Sequence, residues 1–311
     1  IWSQANTESQ LQAEMLQTLN KVTKWAALDQ FNFKLLNGPL EKLKSWEHRQ
    51  IPPGMKLPTH MALTPLPEKP KVTVYIPAYN TEKYIVECVD SALIQTYSNI
   101  EISIQNGGYA DDTLKILNER FSTHDNVIIT SKPSTLGEGT NIAIGQGTGE
   151  LILQLDSDDI LHPRAVEMLV DAIGETNICA YGNFSRINQN GENIDLGWEE
   201  PLYSRERLMR SMIVHHPRLF RRDAWEFVGG HDENLRNAED YDFFIKLSEL
   251  GNFVHLREYL YSYRILEGSA SNFSPEILTA NTHLVQNRML ERNQLQYQLT
   301  IPDVNQPRNI L

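Results

Sequence analysis

The chain has 311 residues, enough for one large domain or two ordinary ones, and its 41% hydrophobic and 22% charged residues suit a folded protein rather than a disordered one. Forty acidic residues against 28 basic ones leave a net charge of −12, which argues against a phosphate-binding basic surface and so against nucleic acid as a partner. An anionic substrate would need positive charge supplied locally.

Residues 1–50 read as helix, because Leu11, Met15, Leu19, Val22 and Trp25 recur at three- and four-residue spacing. Pro52, Pro53, Pro58, Pro65, Pro67 and Pro70 then break any regular element, so residues 1–70 form a helical extension and an extended linker. From Lys71 short apolar runs alternate with helical periods. Strands are expected at Val72–Ile76, Ile100–Ile104, Val127–Thr130 and Leu151–Leu155, with helices at Glu82–Gln95, Asp111–Phe121, Gly139–Gly145 and Pro163–Ile173. This order predicts an α/β fold, a mostly parallel central sheet with helices on both faces. In such sheets ligands bind beyond the carboxyl ends of the strands. A last helix is expected at Ile277–Glu291, within a C-terminal extension of residues 266–311.

Cys88 and Cys179 form no CxxC pair and read as buried small hydrophobes, in keeping with a reducing compartment. No apolar run approaches the roughly 20 residues of a membrane span, and no charged start leads an apolar stretch as in a signal peptide. Beginning at Ile1, the chain reads as an excised piece of something longer, and the expected location is cytoplasmic.

The sharpest local feature is Leu151–Leu155 followed by Asp156-Ser157-Asp158-Asp159. Asp156 and Asp158 are two apart and share a side in extended chain. Like charges this close need a shared cation, and hard divalent ions prefer such oxygens. The plainer alternative is that Asp158 or Asp159 caps the helix opened by Pro163. The first strand ends in Pro77-Ala78-Tyr79-Asn80, a turn that exposes backbone groups and a ring; the GxGxxG of a dinucleotide-binding turn is absent there. Glu239 and Asp240 open a helix, as acids favoured by the helix dipole or as a general base near the metal site. His215, His216 and Arg218 could meet a sugar or a carboxylate, or be a satisfied structural pair beside an arginine. Lys132, Arg221 and Arg222 are further cations, read first as solvated surface charges.

Four ordered stretches, residues 74–85 (VYIPAYNTEKYI), 95–102 (QTYSNIEI), 151–159 (LILQLDSDD) and 237–251 (NAEDYDFFIKLSELG), resemble family 2 glycosyltransferases of the GT-A fold across residues 71–265. With residues 212–220 (MIVHHPRLF), they resemble in particular the glucuronic-acid-transferring module of bacterial chondroitin and hyaluronan synthases. The resemblance implies an inverting transferase that uses a UDP-sugar donor, a saccharide or glycoconjugate acceptor, and Mn2+ or Mg2+. It implies that Asp156 contacts the ribose or metal region, that Asp158 holds the metal, and that Pro77, Tyr79 and Glu82 lie against the nucleoside. It makes Asp240 the base for the acceptor hydroxyl. Ala78, Asn80, Lys132, Asn141, Ser157, His215, His216, Arg218 and Glu239 complete the expected substrate contacts.

Two positions depart from the family pattern. Asn106 stands where a uracil-recognising Asp is expected, and an amide can both accept from the base N3–H and donate to O4. Glu267 stands where a metal-binding His often follows, and a carboxylate suits the same ions. Both departures keep open a non-catalytic nucleotide-sugar or glycan-binding module of a larger synthase, with association to a synthase complex or to the inner membrane face as a further option. A nucleotidyltransferase would need a Gly-rich basic loop after the first strand, where Pro77-Ala78-Tyr79-Asn80 stands.

Overall fold

The computed structural model describes residues 61–197, 203–235, 237–266 and 275–293. The expected helix within residues 1–50, the start of the proline-rich linker and Glu267 lie outside them. The chain divides into two compact units, one of residues 1–55 with 290–311 and the other of residues 56–289. The second holds the sheet and the candidate site.

The strands are β1 (Val72–Ala78), β2 (Ile100–Asn106), β3 (Val127–Ser131), β4 (Leu151–Gln154), β5 (Ile160–Leu161), β6 (Asn177–Ile187), β7 (Asn193–Leu196), β8 (Arg218–Arg221) and β9 (Asn252–Arg264). The helices, numbered in chain order, are α1 (Ile85–Leu93), α2 (Thr113–Phe121), α3 (Leu136–Gln146), α4 (Ala165–Ile173), α5 (Arg205–Arg210), α6 (Arg222–Val228), α7 (Glu239–Ser248) and α8 (Pro275–Arg292). The strands form one sheet in the order β3-β2-β1-β4-β8-β6-β9-β5, with β7 paired to β6.

The parallel arrangement expected from the βα alternation holds across β3-β2-β1-β4 and again between β6 and β9. Beyond β4 the sheet is mixed, because β8 runs antiparallel to both β4 and β6. Helices cover both faces. Val72, Val74 and Ile76 join Ile85, Cys88 and Val89 of α1, Leu117 of α2, and Val166 and Leu169 of α4 in one buried cluster. On the opposite face Ser103 Oγ donates to the Ala143 carbonyl of α3 at 2.6 Å, while Phe220 meets Tyr75 of β1 and Phe243 of α7 through edge-to-face rings. Burial of these apolar side chains is the dominant stabilising term, about 1.5–3 kcal/mol for each large residue.

Helix α3 begins ahead of the expected Gly139 because Thr135 caps it, its hydroxyl accepting the Glu138 N–H at 3.2 Å. Two arginines read as surface charges behave otherwise. Arg221 is buried and donates to the carbonyls of Asn177, Thr64 and Gly174, each at 2.9 Å. Arg222 is half-buried, and its Nη1 donates to the Ile144 carbonyl at 3.2 Å. The Arg221 bond to Thr64, with the Asp223 carboxylate accepting the Thr64 N–H at 3.0 Å, stitches the end of the proline-rich segment onto the domain.

Candidate active site

Strand β4 delivers the acidic turn. After Gln154 the chain stays extended for one residue, Leu155 N–H donating to the Tyr75 carbonyl, and then folds so that Asp159 N–H meets the Asp156 carbonyl at 3.1 Å. Three residues on two elements hold this turn from beneath. The Tyr261 hydroxyl on β9 accepts the Asp156 N–H at 3.0 Å, and the Cys88 thiol on α1 donates to the Asp156 carbonyl at 3.3 Å. Arg264 at the end of β9 donates its N–H to Asp159 Oδ1 at 2.7 Å and its Nε to the Asp158 carbonyl at 2.6 Å. Its guanidinium also reaches Glu87 at 2.6 Å and stacks on Tyr84. Asp159 and Ser157 are therefore buried in the turn, while Asp156 and Asp158 remain partly exposed. Helix α4 takes Arg164 as its cap residue without a side-chain bond, so capping by Asp158 or Asp159 does not occur.

The carboxylates in this turn resist ionisation. Burial, reinforced by Asp158, pushes Asp156 up to about 6; burial raises Asp158, and burial with the charges of Asp158 and Asp156 raises Asp159. His216 stands opposite, its Nε2 3.4 Å from Asp156 Oδ2 and its ring stacked on Tyr261. Burial first, then Arg218 and His215, hold its pKa well below the usual histidine range, so the imidazole is neutral. Its Nε2 makes no hydrogen bond, the approach to Asp156 being poorly aligned. Carboxylate and neutral imidazole are donor types that divalent cations accept. Among the described residues no three or more His, Cys, Asp or Glu side chains are gathered as a group that could hold a metal ion.

Arg218 on β8 links this turn to α7. Its Nη1 donates to Asp240 Oδ2 at 3.0 Å and to Gln154 Oε1 at 3.2 Å, and Gln154 Nε2 donates to Asp156 Oδ1 at 3.0 Å. Asp240 sits in the first turn of α7, entered through Asn237 in the left-handed region (φ 60°), which Asn tolerates better than most residues. Beside it Glu239 is buried, and burial together with the Asp240 charge raises it to about 7.

The ends of β1 and β2 form a second wall. Pro77 and Ala78 close β1, Tyr79 is 66% exposed, and Asn80 adopts φ 53° while its Oδ1 accepts the Ala110 N–H. A Cβ on Gly108 would stand 2.4 Å from Asn80 Oδ1, so this turn requires glycine. Asn106 is wholly buried; its Nδ2 donates to the Gly108 carbonyl at 2.6 Å, and its Oδ1 has no partner.

Asp156, His216, Arg218, Glu239 and Asp240 thus come together, with Asp158 in the same turn. Others are engaged elsewhere. Glu82 Oε2 accepts the Asp112 N–H at 2.9 Å, and Lys132 pairs with Glu138 at 2.7 Å. The Asn141 amide binds both the N–H and the carbonyl of His231, at 2.9 Å each, tying α3 to the loop before α7. His215 packs its ring 5.8 Å from that of Phe184. Sequence reasoning missed Gln154, Tyr261 and Arg264 as parts of the site. The sole signal for Gln154 was a polar residue inside an otherwise apolar strand.

A parallel half-sheet ending in paired carboxylates, with an acid-bearing helix start held against them, is the frame of a sugar-nucleotide transferase, and the GT-A fold is what the element order describes. The family Glycosyl transferase family 2 matches residues 73–229, and the chain belongs to it. Chondroitin synthase of Escherichia coli is 41% identical over 227 residues, 72% of this chain and 33% of that protein. Hyaluronan synthase of Pasteurella multocida is 40% identical over 232 residues, 73% of this chain and 24% of that protein. The chain therefore spans a third or less of these relatives' length. Among solved structures, S. aureus TarS 1–349 in complex with UDP-GlcNAc superposes with a TM-score of 0.61 at 21% identity, over 73% of this chain and 68% of that one. The mannosyltransferase PcManGT from Pyrobaculum calidifontis, in complex with GDP-Man and Mn2+, gives 0.54 at 14% identity, over 88% and 82%. At those identities the likeness speaks for the fold.

Proposed function

We propose that the chain is the catalytic module of an inverting, cation-dependent glycosyltransferase that moves a sugar from a UDP-sugar to a saccharide acceptor in polysaccharide or glycoconjugate synthesis. Glucuronate is the proposed sugar, from the sequence resemblance, and the cytoplasm the proposed site of action. The observation that carries the reading is the juxtaposition of Asp240, in contact with Arg218, and the Asp156–Asp158 turn across a single glutamine. Asp240 would accept the proton of the acceptor hydroxyl as that oxygen attacks the sugar's C1. Tyr79 and the Pro77–Asn80 turn would face the nucleoside. Because Asn106 Nδ2 is already engaged, its Oδ1 would accept a uracil N3–H once the Gly107–Tyr109 turn shifts, a contact cytosine could not make.

Asp156, Asp158 and neutral His216 would hold Mn2+ or Mg2+, with Glu267 as a further carboxylate. The fit rests on two carboxylates whose ionisation is opposed and on an imidazole nitrogen without a partner. Bound there, the cation would offset charge on the departing diphosphate. It would also answer the chain's lack of a basic surface.

A donor panel tests the reading: UDP-glucuronate, UDP-N-acetylhexosamines, UDP-glucose and UDP-galactose, with Mn2+ and short saccharide acceptors. Metal-dependent UDP release, lost in Asp240→Asn, is the expected result. Donor binding without turnover for every pair would instead identify a non-catalytic binding module.

A further inference from the structure

Beneath α7 the sheet carries a polar row in a region otherwise packed with rings. Tyr75 on β1 is the register partner of Gln154 on β4, and Arg218 on β8 that of Tyr181 on β6. Arg218 joins the two pairs through its bond to Gln154. Its side chain is 3% exposed, and its Cζ lies 5.0 Å over the Phe244 ring. The Tyr75 hydroxyl is buried among Arg218, Asp156, Asp240 and Glu239 without a hydrogen-bond partner.

As a stabilising device this arrangement is poor. Burying a guanidinium costs several kcal/mol in desolvation, and its carboxylate partner Asp240 is itself 34% exposed, where the attraction is weakened by water. Replacing a buried ion pair by apolar side chains of similar volume is often neutral or stabilising. The geometry gives the charge a different use. Arg218 Nη1 meets Asp240 Oδ2 on one side and Gln154 Oε1 on the other, and Gln154 in turn holds Asp156 Oδ1. Four side chains on three elements thereby set where the α7 carboxylate stands relative to the β4 turn.

We propose that Arg218 is a positioning residue for glycosyl transfer, fixing the Asp240 carboxylate and, through Gln154, its placement relative to Asp156. This rests on the reading of Asp240 as the base. A donor anchored at the β4 turn and an acceptor hydroxyl at Asp240 react only when the attacking oxygen lies about 3–3.5 Å from the sugar carbon, and a 1 Å error costs about 100-fold. Arg218 acts on that separation without touching either substrate.

The test compares Arg218→Lys, Arg218→Met and Gln154→Leu with Asp240→Asn, reading kcat, donor KM, and UDP affinity by calorimetry with Mn2+. Arg218→Met should lower kcat about 100-fold and Gln154→Leu about 10-fold, with donor KM and UDP affinity within about threefold of the parent. Arg218→Lys, which keeps a charge but not the fork, should recover part of the loss. Undiminished kcat in Gln154→Leu and Arg218→Lys overturns the proposal, and these two variants decide it if Arg218→Met does not fold. A parallel rise in donor KM also overturns it, by making Arg218 a donor contact. If Asp240→Asn retains transfer, the base assignment fails and the positioning role with it. If Asp240→Asn abolishes transfer while the Arg218 and Gln154 variants keep it, the positioning role alone fails.

Discussion

The backbone N–H of Arg264 donates to Oδ1 of the buried Asp159 at 2.7 Å, joining the last residue of β9 to the acidic turn after β4. The same arginine caps the Asp158 carbonyl, reaches Glu87 on α1, and contacts the carbonyls of Asn188 and Gln189 beyond β6. One side chain thus fastens the turn to α1 and the sheet edge. Asp159 anchors this turn, which leaves Asp156 and Asp158 available for a ligand.

Removing that clamp should disorder the carboxylates before it unfolds the domain. Arg264→Met leaves the Asp158 carbonyl without its Nε donor and strips Glu87 of its partner, at an expected cost of about 3 kcal/mol. Calorimetric binding of UDP with Mn2+ should weaken at least tenfold in a variant still folded by circular dichroism. Glu87→Gln should cost under about 1 kcal/mol, because Glu87 is 54% exposed and its charge is screened. Equal losses in the two variants would contradict the clamp.

The parallel half of the fold was legible because β1 and β4 read as nearly continuous apolar runs, while β2 carries Ile100, Ile102 and Ile104 in strict alternation with polar residues. The reversal at β8 was not. Arg218-Leu219-Phe220-Arg221 has only two apolar residues between two charges, yet all four are buried. Arg221 is satisfied by carbonyls distant from it in sequence, and Arg218 Nη1 is held by Gln154 and Asp240 while its Nε stays without a partner. Such partners leave no local pattern. The acidic turn and the α7 start were visible because their residue types are unusual beside apolar runs. The hydrogen bonds between them exist only after β8 has inserted.

Glu101 predicts an acid limit to stability. Burial alone would raise its pKa, but bonds from Lys71, from the Thr148 N–H and from the Thr73 hydroxyl outweigh it and hold the carboxyl at about 2. The unfolded chain takes up that proton near the ordinary value, so stability rises with pH between about 2 and 4.5 and is lost as pH falls through that window. The shift corresponds to about 3 kcal/mol at neutral pH. Glu101→Gln should lower urea stability at pH 7 by a comparable amount and shrink its difference from the parent at pH 3. A constant difference across that range would show that the carboxylate's charge is not the source.

His231 gives a second pH dependence at milder acidity. Burial against Phe243, with rings 4.1 Å apart, is the main cause that lowers its pKa to about 3, Asp240 opposing and Arg218 and Lys246 assisting. In the unfolded chain the imidazole protonates near 6.5, so its contribution is lost as pH falls below that value, by about 2 kcal/mol at pH 5. Asp156 and Glu239, both raised, act in the opposite sense, since the folded state holds protons that the unfolded chain releases. The comparison of parent with His231→Phe isolates one group. The variant should lose less stability between pH 7 and 5, by thermal unfolding at both values, and identical slopes would contradict the assignment.

Two glycines near the β1–β4 junction should respond oppositely to the same methyl group. At Gly149 a Cβ would lie 2.6 Å from the Thr73 nitrogen and 2.7 Å from the Lys71 carbonyl, both backbone atoms of the strand next door. Gly149 N–H also donates to Thr73 Oγ1 and Glu101 Oε1 at 3.0 Å each, so a shift that relieved the clash would break the Glu101 network. Gly149→Ala should therefore cost about 2–3 kcal/mol, the upper part of the range for overpacked cores. Gly145 lies in α3 with nothing within 4 Å of the added atom. There the substitution meets no neighbour and removes only the entropy that glycine loses in a helix, so Gly145→Ala should stabilise by about 0.5–1 kcal/mol. Chemical denaturation of the pair checks both signs, and a stabilising Gly149→Ala would show that β1 and the loop before β4 are less tightly apposed than these distances state.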